Sequence, residues 1–159
     1  MKIVLLITAL VLVADQVTKQ LITRTMEIGE SRAVINNFLY ITYHRNSGAA
    51  FGILQGQMLI FYIITAITVI GIIIWLSKIN LKKQRLLAIA LSLILGGALG
   101  NFIDRVVYQS VIDFVHTVWW GNHFPIFNIA DTALVSGAIL MLFSELKQSK
   151  DLYFETNNK

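Results

Sequence analysis

Four aspartates stand out by the company they keep. Asp15 closes the apolar stretch "ALVLVADQVTK" and Asp104 follows "LGGALGNFI". Asp113 sits in "SVIDFV", and Asp131 in "FNIADTAL", inside an uncharged run from Ile126 to Phe143 that it alone interrupts. Carboxylates are costly in such surroundings when ionised, and where they occur they mark functional sites. Two of them a few ångströms apart share one proton, because both cannot ionise together. The ionised member can then take a proton from water while the neutral one protonates a carbonyl oxygen, chemistry that needs no cofactor and no metal. Asp131 has three potential partners in Asp15, Asp104 and Asp113. Arg105 beside Asp104 favours its ionised form, whereas the apolar flanks of Asp113 favour a held proton. That asymmetry leans toward Asp113 with Asp131 and leaves the other two open.

Other hydrolytic chemistries find little support. There is no cysteine, which excludes thiolate catalysis, disulfides and cysteine metal sites. The H-E-x-x-H zinc signature is absent, and His44, His116 and His123 are scattered. No G-x-S-x-G elbow occurs, and the serine of "NSGAA" lacks a nearby candidate base on a helix. Polar residues around the aspartates recur at helical spacing instead. Asn101 and Asp104 are i,i+3, as are Asn128 and Asp131, so each pair shares a helix face and the two faces suggest one pocket. Each residue also has a structural reading. Asp15 and Lys19 are i,i+4 with the acid first, the better order for a helical ion pair. Asp104 and Arg105 form a local charge pair, Asn101 and Asn128 are interhelical hydrogen-bond groups, and Gly96, Gly97 and Gly100 allow close helix packing.

The elements that must position these groups follow from hydropathy. Of 159 residues 56% are hydrophobic and only 14% charged, against about 25% charged in soluble domains. Apolar blocks at 3–22, 58–76, 86–103 and 126–143 are each roughly the 18–20 residues that cross a bilayer as a helix. The expected fold is an all-α membrane protein of four transmembrane helices, a single domain over 1–159, with outer loops at 23–57 and 104–125. The first block continues past Asp15 through Val17, Leu21 and Ile22, which argues for an uncleaved span over a signal peptide. Lys2, the connector "SKINLKKQR", and Lys147 with Lys150 put both termini and the middle connector in the cytoplasm by the positive-inside rule. The net charge of +4 is then a topology signal and not a nucleic-acid footprint. Asp15, Asn101, Asp104, Arg105, Asn128 and Asp131 fall at the outer ends of their spans, with Asp113 in the loop just before the fourth.

In the first outer loop "RAVI" and "FLYITYH" have strand composition and end at the turn signal Asn46-Ser47-Gly48. A small extracytoplasmic sheet is expected there, beside a short interfacial helix or loop. The small residues of "NSGAAFG" suggest a mobile loop. Trp119 and Trp120 suit the headgroup level. Pro125 is expected to start the fourth helix, which puts Asp131 several residues inside it, past any capping position. The polar tail after Ser144 is expected to fray.

Together "DQVTK" (15–19), "RNSGAAFG" (45–52), "GGALGNFIDR" (96–105), "VIDF" (111–114) and "FNIADTAL" (127–134) resemble the lipoprotein signal peptidases, or signal peptidase II, in order, spacing and chain length. These are four-span aspartic peptidases of the bacterial cytoplasmic membrane. The resemblance implies a substrate prolipoprotein carrying diacylglycerol on its lipobox cysteine, cleaved on the N-terminal side of that cysteine. It implies that Asp113 and Asp131 are the catalytic pair, and that Asp15, Lys19, Asn46, Gly48, Asn101, Asp104, Arg105 and Asn128 line or support the pocket. It implies that the first outer loop is the family's β-cradle. Membrane lipid is an expected partner; no obligate protein partner, cofactor or metal is implied. Two rival readings are a small proton- or ion-coupled transporter and a non-enzymatic membrane assembly factor. Charges crowded toward one face argue against the former.

Overall fold

The four apolar blocks fold as helices whose ends run past the hydrophobic stretches that nucleate them. The computed structural model describes residues 1–48 and 53–157, with side chains as far as Ser149. The helices are α1 (Lys2–Thr25), α2 (Met58–Lys78), α3 (Arg85–Tyr108) and α4 (Ile129–Asn157). All four are long and apolar enough to cross a membrane, α4 over Ile129–Ser149. Leu5, Leu6 and Leu10 of α1, Ile63 and Ile67 of α2, and Val135 and Leu142 of α4 are exposed, as a hydrocarbon surround allows. Residues 49–52, part of the run expected to be a mobile loop, lie outside the described residues.

Helix α3 is the hub. Half of its spanning window is buried, against 17–22% for the others, and it packs against each of the other three helices. Glycine makes this possible. A Cβ at Gly96 would lie 2.8 Å from Val11 Cβ on α1; one at Gly97 would run into the Ala130 carbonyl of α4; one at Gly100 would sit 2.5 Å from the Asp15 carboxylate. Close approach at these three positions brings the polar residues of α1, α3 and α4 within hydrogen-bond reach. At the other end Val4, Ile72, Leu76, Leu87 and Leu91 close an apolar cluster between α1, α2 and α3.

A four-stranded antiparallel sheet sits at the end of the bundle where α1 stops and α3 stops. Its strands are β1 (Ser31–Ile35), β2 (Leu39–Asn46), β3 (Val111–Trp119) and β4 (Asn122–His123), in the order β1-β2-β3-β4. Met26, Tyr43 and Ile112 bury one another and tie it to α1. Two strands were expected and are present. The other two come from the second outer loop, where no strand was expected. "VIDFVHTVW" is rich in β-branched and aromatic residues, as strands are, and the Trp120-Gly121 turn, with φ of 49° and 80°, makes the two-residue hairpin that fits strand twist. Asp113 therefore rides on a strand, paired in register with His44.

Three boundaries also differ from expectation. Asp104 and Arg105 lie a full turn inside α3, which ends at Gln109 in the left-handed conformation. Helix α4 starts at Ile129, because Phe127 is held by the sheet: its N–H donates to Val115 O (3.0 Å), and its carbonyl accepts from Phe114 N (3.1 Å) and Val115 N (2.8 Å). Pro125 precedes that bridge and starts nothing. Beyond Ser144 the helix continues to Asn157, through residues such as Glu, Leu, Lys and Gln that favour helix.

Candidate active site

The site is built outward from a buried ammonium. Lys19 Nζ reaches Asp15 Oδ2 at 2.9 Å and Asp104 Oδ2 at 2.8 Å, and donates to Asn101 Oδ1 at 3.0 Å. Its three donors thus have three acceptors, with Lys19, Asp15 and Asp104 each at most 1% exposed. The two carboxylates are further satisfied by Ala130 N on Asp15 (3.0 Å), Ile112 N on Asp104 (3.1 Å), and the Gln16 amide, which donates to both. Buried ions are tolerable only when every lone pair and proton is used in this way. The cluster pins the start of α4 and the start of β3 to α1. Asp15–Lys19 pair as expected. Asp104 does not pair with Arg105, because on a helix its side chain turns toward α1, where Lys19 waits.

The next layer is a pair of amides. Asn101 Oδ1 also accepts from Asn128 Nδ2 (3.2 Å), and Asn101 Nδ2 donates to Asp131 Oδ1 (2.7 Å). Asn128, fully buried, is the N-cap of α4. Its Oδ1 accepts from Asp131 N (2.8 Å), and its N–H donates to Asp131 Oδ2 (3.2 Å). This reciprocal arrangement is a capping box with aspartate in the third position. Asp131 thus belongs to the first turn after all, and the expectation that it lies beyond capping range fails with the misplaced helix start.

Asn128 Nδ2 also donates to Asp113 Oδ1 (2.7 Å) and to Ile112 O (3.3 Å). One residue therefore holds both carboxylates: its backbone N–H on Asp131, its amide on Asp113. The other Asp113 oxygen accepts from Asn46 Nδ2 (3.1 Å), and Asn46 Oδ1 accepts from Gly48 N (2.9 Å). Burial, and next the neighbouring Asp131 charge, push Asp113 up to about 7, against the pull of the Asn46 and Asn128 hydrogen bonds. Arg105 lies in the field of Asp131, Asp113 and Asp104. It donates weakly to Asn101 O and Gly48 O (both 3.4 Å) and stacks its guanidinium 4.3 Å over Phe61. Its Nε has no partner among the described residues.

All ten residues singled out in the sequence thus meet in one network. Three contributors were missed. Gln16 lies inside the quoted "DQVTK", but nothing in its spacing showed that its amide bridges Asp15 and Asp104. Phe61 and Tyr62, whose hydroxyl donates to Arg105 O at 3.0 Å, belong to a span that carries no charge and gave no signal. The histidines are less scattered than their spacing suggested. His116 and His123 approach to 2.8 Å across β3 and β4, with Thr42 Oγ1 3.1 Å from His116.

Four spans with a buried carboxylate network gathered at one end describe a multi-pass membrane protein. A family profile described as signal peptidase (SPase) II matches residues 7–147. A lipoprotein signal peptidase of Bacillus pumilus is 54% identical over 136 residues, covering 86% of this chain and 87% of that protein. One from Anoxybacillus flavithermus is 51% identical over 150 residues, covering 92% and 89%. A solved bacterial membrane enzyme superposes with a TM-score of 0.87 at 47% identity, over 95% of this chain and 92% of that one. The chain belongs to the signal peptidase II family. It is an enzyme, an aspartic endopeptidase.

Proposed function

We propose that this protein removes the signal peptide from prolipoproteins that already carry diacylglycerol on the lipobox cysteine, cutting N-terminal to that cysteine, with Asp113 and Asp131 as the catalytic pair. The observation that carries the reading is the Asn128 bridge, in which one residue donates to both carboxylates at the N-terminal end of α4. With Asp113 pushed up to about 7, about half of the molecules keep a proton on this residue at neutral pH, and that is the form that reacts. Asp131, at the N-terminus of α4, is the ionised member. It takes a proton from a water whose oxygen attacks the scissile carbonyl carbon, while Asp113 donates its proton to the carbonyl oxygen. Collapse of the tetrahedral intermediate breaks the C–N bond. The leaving amine takes the proton from Asp131, and Asp113 recovers its own.

The remaining residues position this pair. Lys19, Asp15 and Asp104 fix the ends of α4 and β3, Asn101 and Asn46 orient one carboxylate each, and Arg105 stabilises negative charge that develops beside Gly48. Lys78, Lys82, Lys83 and Arg85 lie at the opposite end of the bundle. That polarity supports cytoplasmic termini, residence in the bacterial cytoplasmic membrane and a site toward the outer leaflet. A lipid-anchored substrate diffusing in that leaflet would bring its scissile bond to this depth. The test is a gel-shift cleavage assay with purified protein on diacylglyceryl-modified and unmodified precursor. Only the modified form should be cut; equal cleavage of both would remove the lipid from the proposal.

A further inference from the structure

A row of hydrogen-bonding side chains, one from each strand, crosses the sheet. Ser31 Oγ on β1 lies 2.8 Å from Thr42 Oγ1 on β2, which in turn lies 3.1 Å from His116 Nδ1 on β3. His116 Nε2 then meets His123 Nδ1 on β4 at 2.8 Å. The register explains the alignment. Ser31 pairs with Thr42, Tyr40 with His116, and Val118 with His123, so these side chains share one face of the sheet. The aspartate chemistry uses none of them. Both histidines reach solvent, His123 more than His116, and the Tyr40 ring walls His116 at 5.7 Å between centroids.

The two imidazoles face each other head on. Nitrogens 2.8 Å apart leave ring centroids 5.0 Å apart only when both lone-pair axes lie nearly along one line. Zn²⁺ takes histidine nitrogen at about 2.0–2.1 Å in tetrahedral geometry, which sets two ligand nitrogens about 3.3 Å apart and their ring centroids about 5 Å apart. The centroids therefore stand where a tetrahedral metal needs them. Small ring rotations open the nitrogens by the remaining half an ångström or so, about what exposed side chains allow. A metal on His116 Nε2 requires the Nδ1–H tautomer, and Thr42 Oγ1 is placed to accept that N–H. Such an acceptor on the far nitrogen is the usual orienting partner of a ligating histidine. It separates this pair from two surface imidazoles in chance contact. Binding displaces the hydrogen between the two nitrogens, which His123 carries on Nε2 instead. Among the described residues no third His, Asp or Glu completes a set, so water fills the remaining positions.

We propose that His116 and His123 form a binding site for a divalent transition metal of the Zn²⁺ class, which clips β4 to β3. Strand β4 is only two residues long, and the chain runs from it through Pro125 to the Phe127–Val115 bridge and Asn128. A metal here stiffens the segment that carries Asn128 without touching the aspartates. Tag-free full-length protein in neutral detergent is titrated with Zn²⁺ alone by calorimetry at neutral pH. Wild type should show one saturable site per chain. His116→Gln and His123→Gln should each abolish it, and His44→Gln should leave it unchanged. Thr42→Val should weaken it about tenfold, the lower end of the loss on removing such a partner. Zn²⁺ should raise the thermal unfolding temperature of wild type and of His44→Gln, and of neither His116→Gln nor His123→Gln. Absence of saturable binding at millimolar Zn²⁺ would overturn the site. So would binding that survives the double variant His116→Gln/His123→Gln, which would place the metal elsewhere, or binding lost in a folded His44→Gln. Circular dichroism without metal shows which variants are folded, and where one histidine variant is not, the other and Thr42→Val decide.

Discussion

Asp113→Asn exchanges a buried carboxyl for an amide of nearly the same shape and removes its titration. In the folded protein Asp113 ionises near 7, against 3.8 for the free group. Between those pH values the folded state holds a proton that the unfolded state has released, so this residue costs stability progressively as pH rises through the window. Roughly three pH units correspond to about 4 kcal/mol, complete above the folded-state value. Asparagine carries no such penalty. It does lose something, because Asn46 Nδ2 and Asn128 Nδ2 both donate to Asp113 and an amide has one acceptor oxygen. One lost buried hydrogen bond costs about 1–3 kcal/mol at every pH. The variant should thus be less stable than wild type at pH 4 and more stable at pH 8. The measurement is thermal unfolding of both proteins in one detergent from pH 5 to 8. The gap between them should move by about 3 kcal/mol in favour of the variant across that range, or about 6–12 °C at roughly 2–4 °C per kcal/mol. A gap that does not change with pH would refute the argument that burial and Asp131 hold a proton on Asp113.

Two further substitutions probe the scaffold. Lys19→Met leaves Asp15 and Asp104 buried without their cation and should destabilise by about 3–5 kcal/mol; a loss below about 1 kcal/mol in thermal unfolding would mean the cluster is not the clamp described. Gly97→Ala drives a Cβ into the Ala130 carbonyl and should cost about 1–3 kcal/mol. Gly71→Ala, with nothing within 4 Å of its Cβ, should instead gain up to about 1 kcal/mol from helix propensity; similar effects at both positions would contradict close α3–α4 packing.

Hydrophobic run length located the four helices, because the bilayer imposes a length that sequence alone reveals. The clustering of polar residues at one end was legible for the same reason: Asp15, Asn101, Asp104, Asn128 and Asp131 fall at corresponding heights once the spans alternate in direction. Partner choice within that cluster was not. Asp104 sits next to Arg105 in sequence, but helix geometry turns it to Lys19, and only tertiary packing shows that. The start of α4 was misjudged because Pro125 is a good helix opener locally, while the backbone bonds between Phe127 and Val115 come from a strand 12 residues away. That strand itself was readable in "VIDFVHTVW", whose closing Trp119, with Trp120 after it, drew attention to the membrane interface instead of to the ladder. Once Phe127 is in the sheet, Asn128 becomes a cap, and the Asp131 that looked stranded in a hydrophobic helix becomes a first-turn residue facing Asp113.

The central claim is that Asp113 and Asp131 act as one proton-sharing pair. Its most direct test is single-turnover cleavage of diacylglyceryl-modified precursor by Asp113→Asn, Asp131→Asn and the double variant, each shown to be folded by thermal unfolding. The account expects each single change to lower the rate at least about a thousandfold, and the double change to cost little more, because residues acting as a unit are not additive. Cleavage by either folded single variant at a rate near wild type would contradict it.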